Sequence, residues 1–228
     1  MSASSLLEVL GPRVSPQELA ARGPRYAAPT VVLALARVLL LVSIFFPYWS
    51  MELEAPQYPK GLFVTAYVNT LTGDIAEIDG LNHYIGMRKL EDAAHLERAT
   101  AIWLVVAMFL LMEGAASVHS RWAVLLVVPV ILFPFGFIAD LQYWLYSHGQ
   151  NLDPVAPLSA SVKPFTPPAL GLGEIGQFRT WATLESGWWL ACASSAMTVV
   201  GLVLHRRAYK PLHDAAMAQR QREVVVPP

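Results

Sequence analysis

The chain has 228 residues, 55% hydrophobic and 14% charged, with a net charge of −1 and a mean hydropathy of +0.43. A soluble domain carries roughly 25% charged residues, so this composition points to lipid as the solvent for much of the surface. The near-neutral charge gives a nucleic-acid partner no electrostatic support, and the single cysteine, Cys192, excludes an intrachain disulfide and a multi-cysteine zinc site.

Residues 1–29 form a polar N-terminal segment that carries Arg13, Arg22 and Arg25. Within it, Ser15-Pro16-Gln17-Glu18 reads as a helix start, with a capping hydroxyl, a first-turn proline and a glutamate three residues on. The first apolar run begins only near Thr30, and no small-residue cleavage site follows it, so an uncleaved anchor is expected.

Four runs approach the roughly 20 apolar residues that cross a bilayer. They cover residues 30–49, 99–118, 121–146 and 187–205, and the second and third are separated only by His119 and Ser120, a tight hairpin. Between and after them lie loops 50–98 and 147–186 and a polar tail, 206–228, that is expected to fray. The expected fold is an all-α membrane protein, a four-helix transmembrane bundle with two long extracytoplasmic loops.

Lysine and arginine set the orientation. Arg13, Arg22, Arg25, Arg121, Arg206, Arg207, Lys210, Arg220 and Arg222 fall on one side. Lys60, Arg88, Lys89, Arg98, Lys163 and Arg179 fall on the other, spread over the two longer loops. Both termini are therefore expected in the cytoplasm and both loops outside. Tyr48, Trp49, Trp144, Tyr146, Trp181, Trp188 and Trp189 cluster at the expected outer interface, where amphipathic rings favour the headgroup layer. Arg37 and Glu113 lie at matching depth, roughly 8–10 Å inside the inner face at 1.5 Å per residue, and read as an intramembrane pair, as two snorkelling side chains or as part of a proton or substrate path. Asp140, near the outer end of the third span beside Gln142 and His148, is expected to face the outer water layer. In the fourth span the small residues around Cys192 read as a close packing face.

The first loop opens with β-formers. Residues 61–68 read as one strand of a short hairpin, residues 69–74 as a turn, and Ile75-Ala76-Glu77-Ile78 as the returning strand. Then Asp79, His83 and Met87 recur every four residues, so a helix there would align them. A His and Met set suits copper, with Met51 and His95 as further donors. The alternative is a compact loop in which His83 and Tyr84 hydrogen-bond and Met87 packs. Asp74, Glu77 and Asp79 lack calcium-loop spacing and read as a solvated acidic turn. No nucleophile and base are ordered for catalysis, so an enzyme is not expected.

The second loop carries five prolines between Pro154 and Pro168, making it stiff and extended, and then Gly171-Leu172-Gly173-Glu174-Ile175-Gly176, read as a flexible stretch. The expected picture is a lid over the first loop, with Asn82, Tyr84, Glu77 and Phe165 on a partner-binding cap and Glu174 nearby.

The segments Glu54-Ala55-Pro56-Gln57-Tyr58-Pro59-Lys60-Gly61-Leu62, Gly80-Leu81-Asn82-His83-Tyr84-Ile85-Gly86-Met87 and Lys163-Pro164-Phe165-Thr166-Pro167-Pro168-Ala169-Leu170-Gly171 resemble the outer-loop motifs of an uncharacterised family of bacterial four-helix membrane proteins. Its members are associated with nitrous-oxide-reductase maturation and other copper or respiratory genes. The resemblance implies an inner-membrane accessory role facing the periplasm, with a membrane or periplasmic protein as partner and copper as the metal. It supplies no catalytic residues. A structural subunit of a respiratory or electron-transfer complex is the competing expectation.

Overall fold

The structure, a computed structural model, describes residues 14–119, 122–175 and 177–225. Arg13, the Ser120–Arg121 junction and Gly176 therefore lie outside the described residues. The chain runs α1 (Pro16–Ser43), β1 (Trp49–Ala55), β2 (Tyr58–Ala66), β3 (Leu71–Gly73), α2 (Ile75–Ile85), a 3-10 turn (Leu90–Asp92), α3 (His95–Ser117), α4 (Ala123–Gln150), β4 (Gly171–Ile175), β5 (Phe178–Leu184) and α5 (Ser186–Val225). Among the described residues, α1, α3, α4 and α5 are each long and apolar enough to cross a membrane.

The helix bounds depart from the expected spans for local reasons. The Ser15 hydroxyl accepts the Glu18 N–H at 3.2 Å, so α1 starts at Pro16, well before the apolar run. Pro24 removes a helical donor, and Arg22, two residues earlier, leaves helical geometry at φ −135°, ψ 34°, which kinks the helix. The expected first span reaches Trp49, but the helix stops at Ser43. Phe45 and Phe46 tighten the last turn by bonding back to Val42 and Ser43, and Pro47 prevents continuation. Trp49 instead opens β1. At the other end, the tail expected to fray continues as helix, α5 running through Pro211 to Val225.

The described residues fall into two compact units. One contains the chain up to Leu41, Val105–Phe133 and the chain from Cys192 onward. Small side chains let its helices approach closely. Ser194 donates to Ala36 O at 2.8 Å, Ser195 to Val130 O at 2.9 Å, and Leu33 packs over Gly201 where a Cβ would meet its side chain at 2.7 Å.

The second unit, Val42–Leu104 with Pro134–Ala191, holds all five strands. They form one antiparallel sheet in the order β3-β2-β1-β5-β4. The short hairpin expected from the first loop is thus part of a larger sheet that both loops build. Its central joint is β1 with β5, where Ser50 pairs with Thr183, Glu52 with Trp181 and Glu54 with Arg179. Alternation puts Trp49, Leu53, Leu62, Val64, Ala66 and Ala182 into a buried core with Ile78 of α2. The Trp49 indole donates to Ala169 O at 2.6 Å, tying β1 to the end of the proline segment.

Two local expectations are corrected here. Ile75–Ile78 does not return as a strand. Ile78, Asn82 and Ile85 recur at helical spacing and are all buried, so the segment gains more as an amphipathic helix than as an edge strand. The glycines at 171 and 173 do not make a flexible stretch either, because they lie in β4. Gly173 has no Cβ, and one built there would meet Thr180 Oγ1 at 2.5 Å and the Pro168 ring at 2.8 Å.

Candidate functional site

Helix α2 and the segment that follows it carry most of the chemistry-bearing side chains, and their placement is set at both ends of the helix. Before it, Gly73 adopts φ +109°, a left-handed conformation that glycine tolerates, and Asp74 Oδ2 accepts the Phe63 N–H at 2.8 Å. Asp74 therefore braces β2. After it, Gly86 adopts φ 81°, ψ 12°, with its N–H directed to His83 O and the Met87 N–H to Asn82 O at 2.9 Å. This is a left-handed helix stop that reverses the chain.

That stop corrects the premise of the copper reading. Asp79, His83 and Met87 share a helical face only if the helix runs through Met87, and it ends at Ile85. Their surroundings then diverge. Asp79 Oδ1 accepts the Leu90 N–H at 2.6 Å, His83 is exposed beside Tyr84 with ring centroids 6.1 Å apart, and Met87 is half-buried and lines a cavity. Met51 lines the same cavity, whereas His95 is exposed at the start of α3. Glu77 is exposed, so the acidic trio is split, Asp74 and Asp79 each accepting a different backbone N–H. Among the described residues no group of three His, Cys, Asp or Glu side chains is placed to hold a metal ion.

The proline segment does lie against α2, held by specific backbone bonds. Asp153 N–H donates to Gly86 O at 2.8 Å and Leu158 N–H to Tyr84 O at 2.9 Å. Phe165 N–H donates to Gly149 O at 3.0 Å. Of the two residues beside Asp140, Gln142 fixes this strap and His148 ties α4 to the segment after α2. Gln142 donates to Pro167 O at 3.1 Å and accepts the Ala169 N–H at 2.9 Å. His148, 2% exposed, reaches Trp144 O at 3.0 Å and Lys89 O at 3.3 Å through its two ring nitrogens. Asp140 itself is half-buried, and Glu174 is exposed and pairs with Arg179 at 3.4 Å.

Beneath the strap lies a cavity of about 60 Å³. Its walls come from β1, α2, the Met87–Leu90 segment, α4, the strap, β4 and β5, with Phe165 and Asn82 both on the lining. Asn82 is 7% exposed, and its Nδ2 is buried without a hydrogen-bond partner. No sequence pattern marks this cavity, because its lining residues come from separate stretches of both loops.

In the other unit, Arg37 and Glu113 are brought together: Arg37 Nη1 pairs with Glu113 Oε2, and the Arg37 guanidinium also lies over the Phe109 ring at 5.8 Å. The arginine side chain is 10% exposed and the glutamate 60%. The chain matches no protein-family model, no curated protein and no solved structure.

Proposed function

We propose that this is an accessory protein of the bacterial inner membrane, both termini cytoplasmic, whose sheet-bearing unit faces the periplasm and docks a partner protein. The service it performs on this reading is support for maturation of a periplasmic metalloenzyme, without catalysis of its own. One observation carries the docking claim. Phe63, Glu52, Trp181 and Leu172 are register partners in a row across β2, β1, β5 and β4. Phe63 is 47% exposed, Trp181 56% and Leu172 58%, on the face opposite the buried core. Charged Glu54, Arg179 and Glu174 flank that row in the next register position. Exposed aromatic and apolar side chains bordered by charged ones, with half-buried Glu52 between Phe63 and Trp181, are the anatomy of a protein interface.

The charge asymmetry of the loops and the resemblance of the loop motifs support the sidedness and the accessory role. Copper, on this reading, belongs to the partner, since Asp79 is engaged by Leu90 while His83 and Met87 face different surroundings.

The test is a photo-crosslinking amino acid placed in turn at Phe63, Trp181 and, as a control, exposed Gly80 of α2, on the core side of the sheet, in intact membranes. Docking predicts the same adduct from positions 63 and 181 and none from 80. Adducts to lipid alone at 63 and 181, or none, would refute it. Stoichiometric recovery of haem or copper subunits in mild detergent would instead favour the alternative, a structural subunit of a respiratory or electron-transfer complex.

A further inference from the structure

Independently of that reading, we propose that the cavity under the strap is a binding site for a small neutral molecule. The ligand class is an apolar body of about five heavy atoms or fewer, carrying one hydrogen-bond-accepting oxygen that Asn82 receives.

Size sets the upper limit. The cavity holds about 60 Å³, well under the roughly 150 Å³ of a cavity that takes benzene, yet several times the roughly 10–15 Å³ that one water needs. The lining sets the polarity. Of its fourteen residues only Asn82 and Thr180 carry a side-chain amide or hydroxyl. Filling the space takes several waters, each wanting two to four polar partners, more than these two side chains offer together, so water fills it poorly. An apolar body fits those walls.

The anchor is Asn82. Native proteins seldom leave a buried donor unpaired, and its Nδ2 is both deeply buried and without a partner. A carbonyl or ether oxygen on a ligand supplies the missing acceptor. Met51 and Met87 add unbranched, polarizable side chains on two walls, which adapt to ligand shape at little cost. Helix α2 and the Gly86 stop place Asn82 and Met87 on the same cavity from either side of one turn. The left-handed glycine that separates Met87 from His83 is thus what delivers Met87 to this site.

The experiment uses the full chain in detergent micelles with ¹³C-methyl methionine, titrated with cyclobutanone and with methylenecyclobutane, a pair of nearly equal shape that differ by the acceptor oxygen. Met51 and Met87 methyl signals should shift saturably, while those of Met108 and Met112, buried in the other unit, should not. In Asn82→Leu the ratio of ketone to alkene affinity should fall about tenfold, the worth of one good hydrogen bond. Partitioning into micelles cancels in that ratio. Should Asn82→Leu fail to fold, Asn82→Ala makes the same comparison with less steric demand. Absence of saturable shifts at Met51 and Met87, or a ratio unchanged by loss of the amide, would overturn the assignment.

Discussion

Gly86 and Gly80 sit on the same helix segment, and alanine at each should move stability in opposite directions. At Gly86 the backbone is at φ 81°, and a left-handed conformation costs a side-chain-bearing residue roughly 1–2 kcal/mol. A Cβ there would also lie 2.7 Å from Asp153 O and 2.8 Å from Asp153 N. Both are backbone atoms, so the strap must retreat rather than a side chain rotate. Retreat weakens the Asp153 N–H bond to Gly86 O and the neighbouring Leu158 N–H bond to Tyr84 O, each worth about 1 kcal/mol. The sum is a loss of about 3 kcal/mol for Gly86→Ala. At Gly80, mid-helix, an added Cβ meets nothing within 4 Å, and Gly80→Ala should gain about 0.5–1 kcal/mol from backbone entropy. Denaturant unfolding of the detergent-solubilised protein, followed by tryptophan fluorescence, reads both. Shifts of the same sign, or a Gly86→Ala variant within about 1 kcal/mol of the parent, would refute the docked-strap geometry.

Trp49→Phe keeps the ring but leaves buried Ala169 O without the indole donor, so thermal unfolding should show a loss of about 1–2 kcal/mol. Glu113→Gln should cost about 2–3 kcal/mol by leaving the buried Arg37 without its counter-ion, and adding Arg37→Leu should recover most of that in the same melt. A double variant that only sums two losses would mean the pair carries no coupling.

How much of this was legible follows from the range of each interaction. The four long helices announce themselves, because lipid demands unbroken apolar runs of fixed length. The Ser15 cap is equally local, and the helix starts at Pro16 as that signal implies. Trp49 continues the apolar run and so reads as part of the first helix, whereas Phe45 to Pro47 end the helix only through turn geometry. Ile75 and Ile78 resemble a strand by β-branching, yet the buried spacing of Ile78, Asn82 and Ile85 decides for helix. Gly171 and Gly173 look loose until their partner strand is known. That partner, β5, also pairs with β1 across more than a hundred residues, and no local pattern encodes such a pairing. The cavity is less legible still. Asn82 and Met87 drew attention in the motif, but their shared site depends on a strap contributed by the other loop.

The joint between β1 and β5 is what turns two loops into one working surface, and a single cross-link tests it. With Cys192→Ala as background, the pair Ser50→Cys and Thr183→Cys faces across that joint, where the native hydroxyls lie 3.1 Å apart. Ser50→Cys with Thr65→Cys, in the β1–β2 hairpin, is the local control. Mild oxidation in native membranes should close the 50–183 disulfide as readily as the 50–65 one. Closure of 50–65 alone would show that the two loops do not share a sheet.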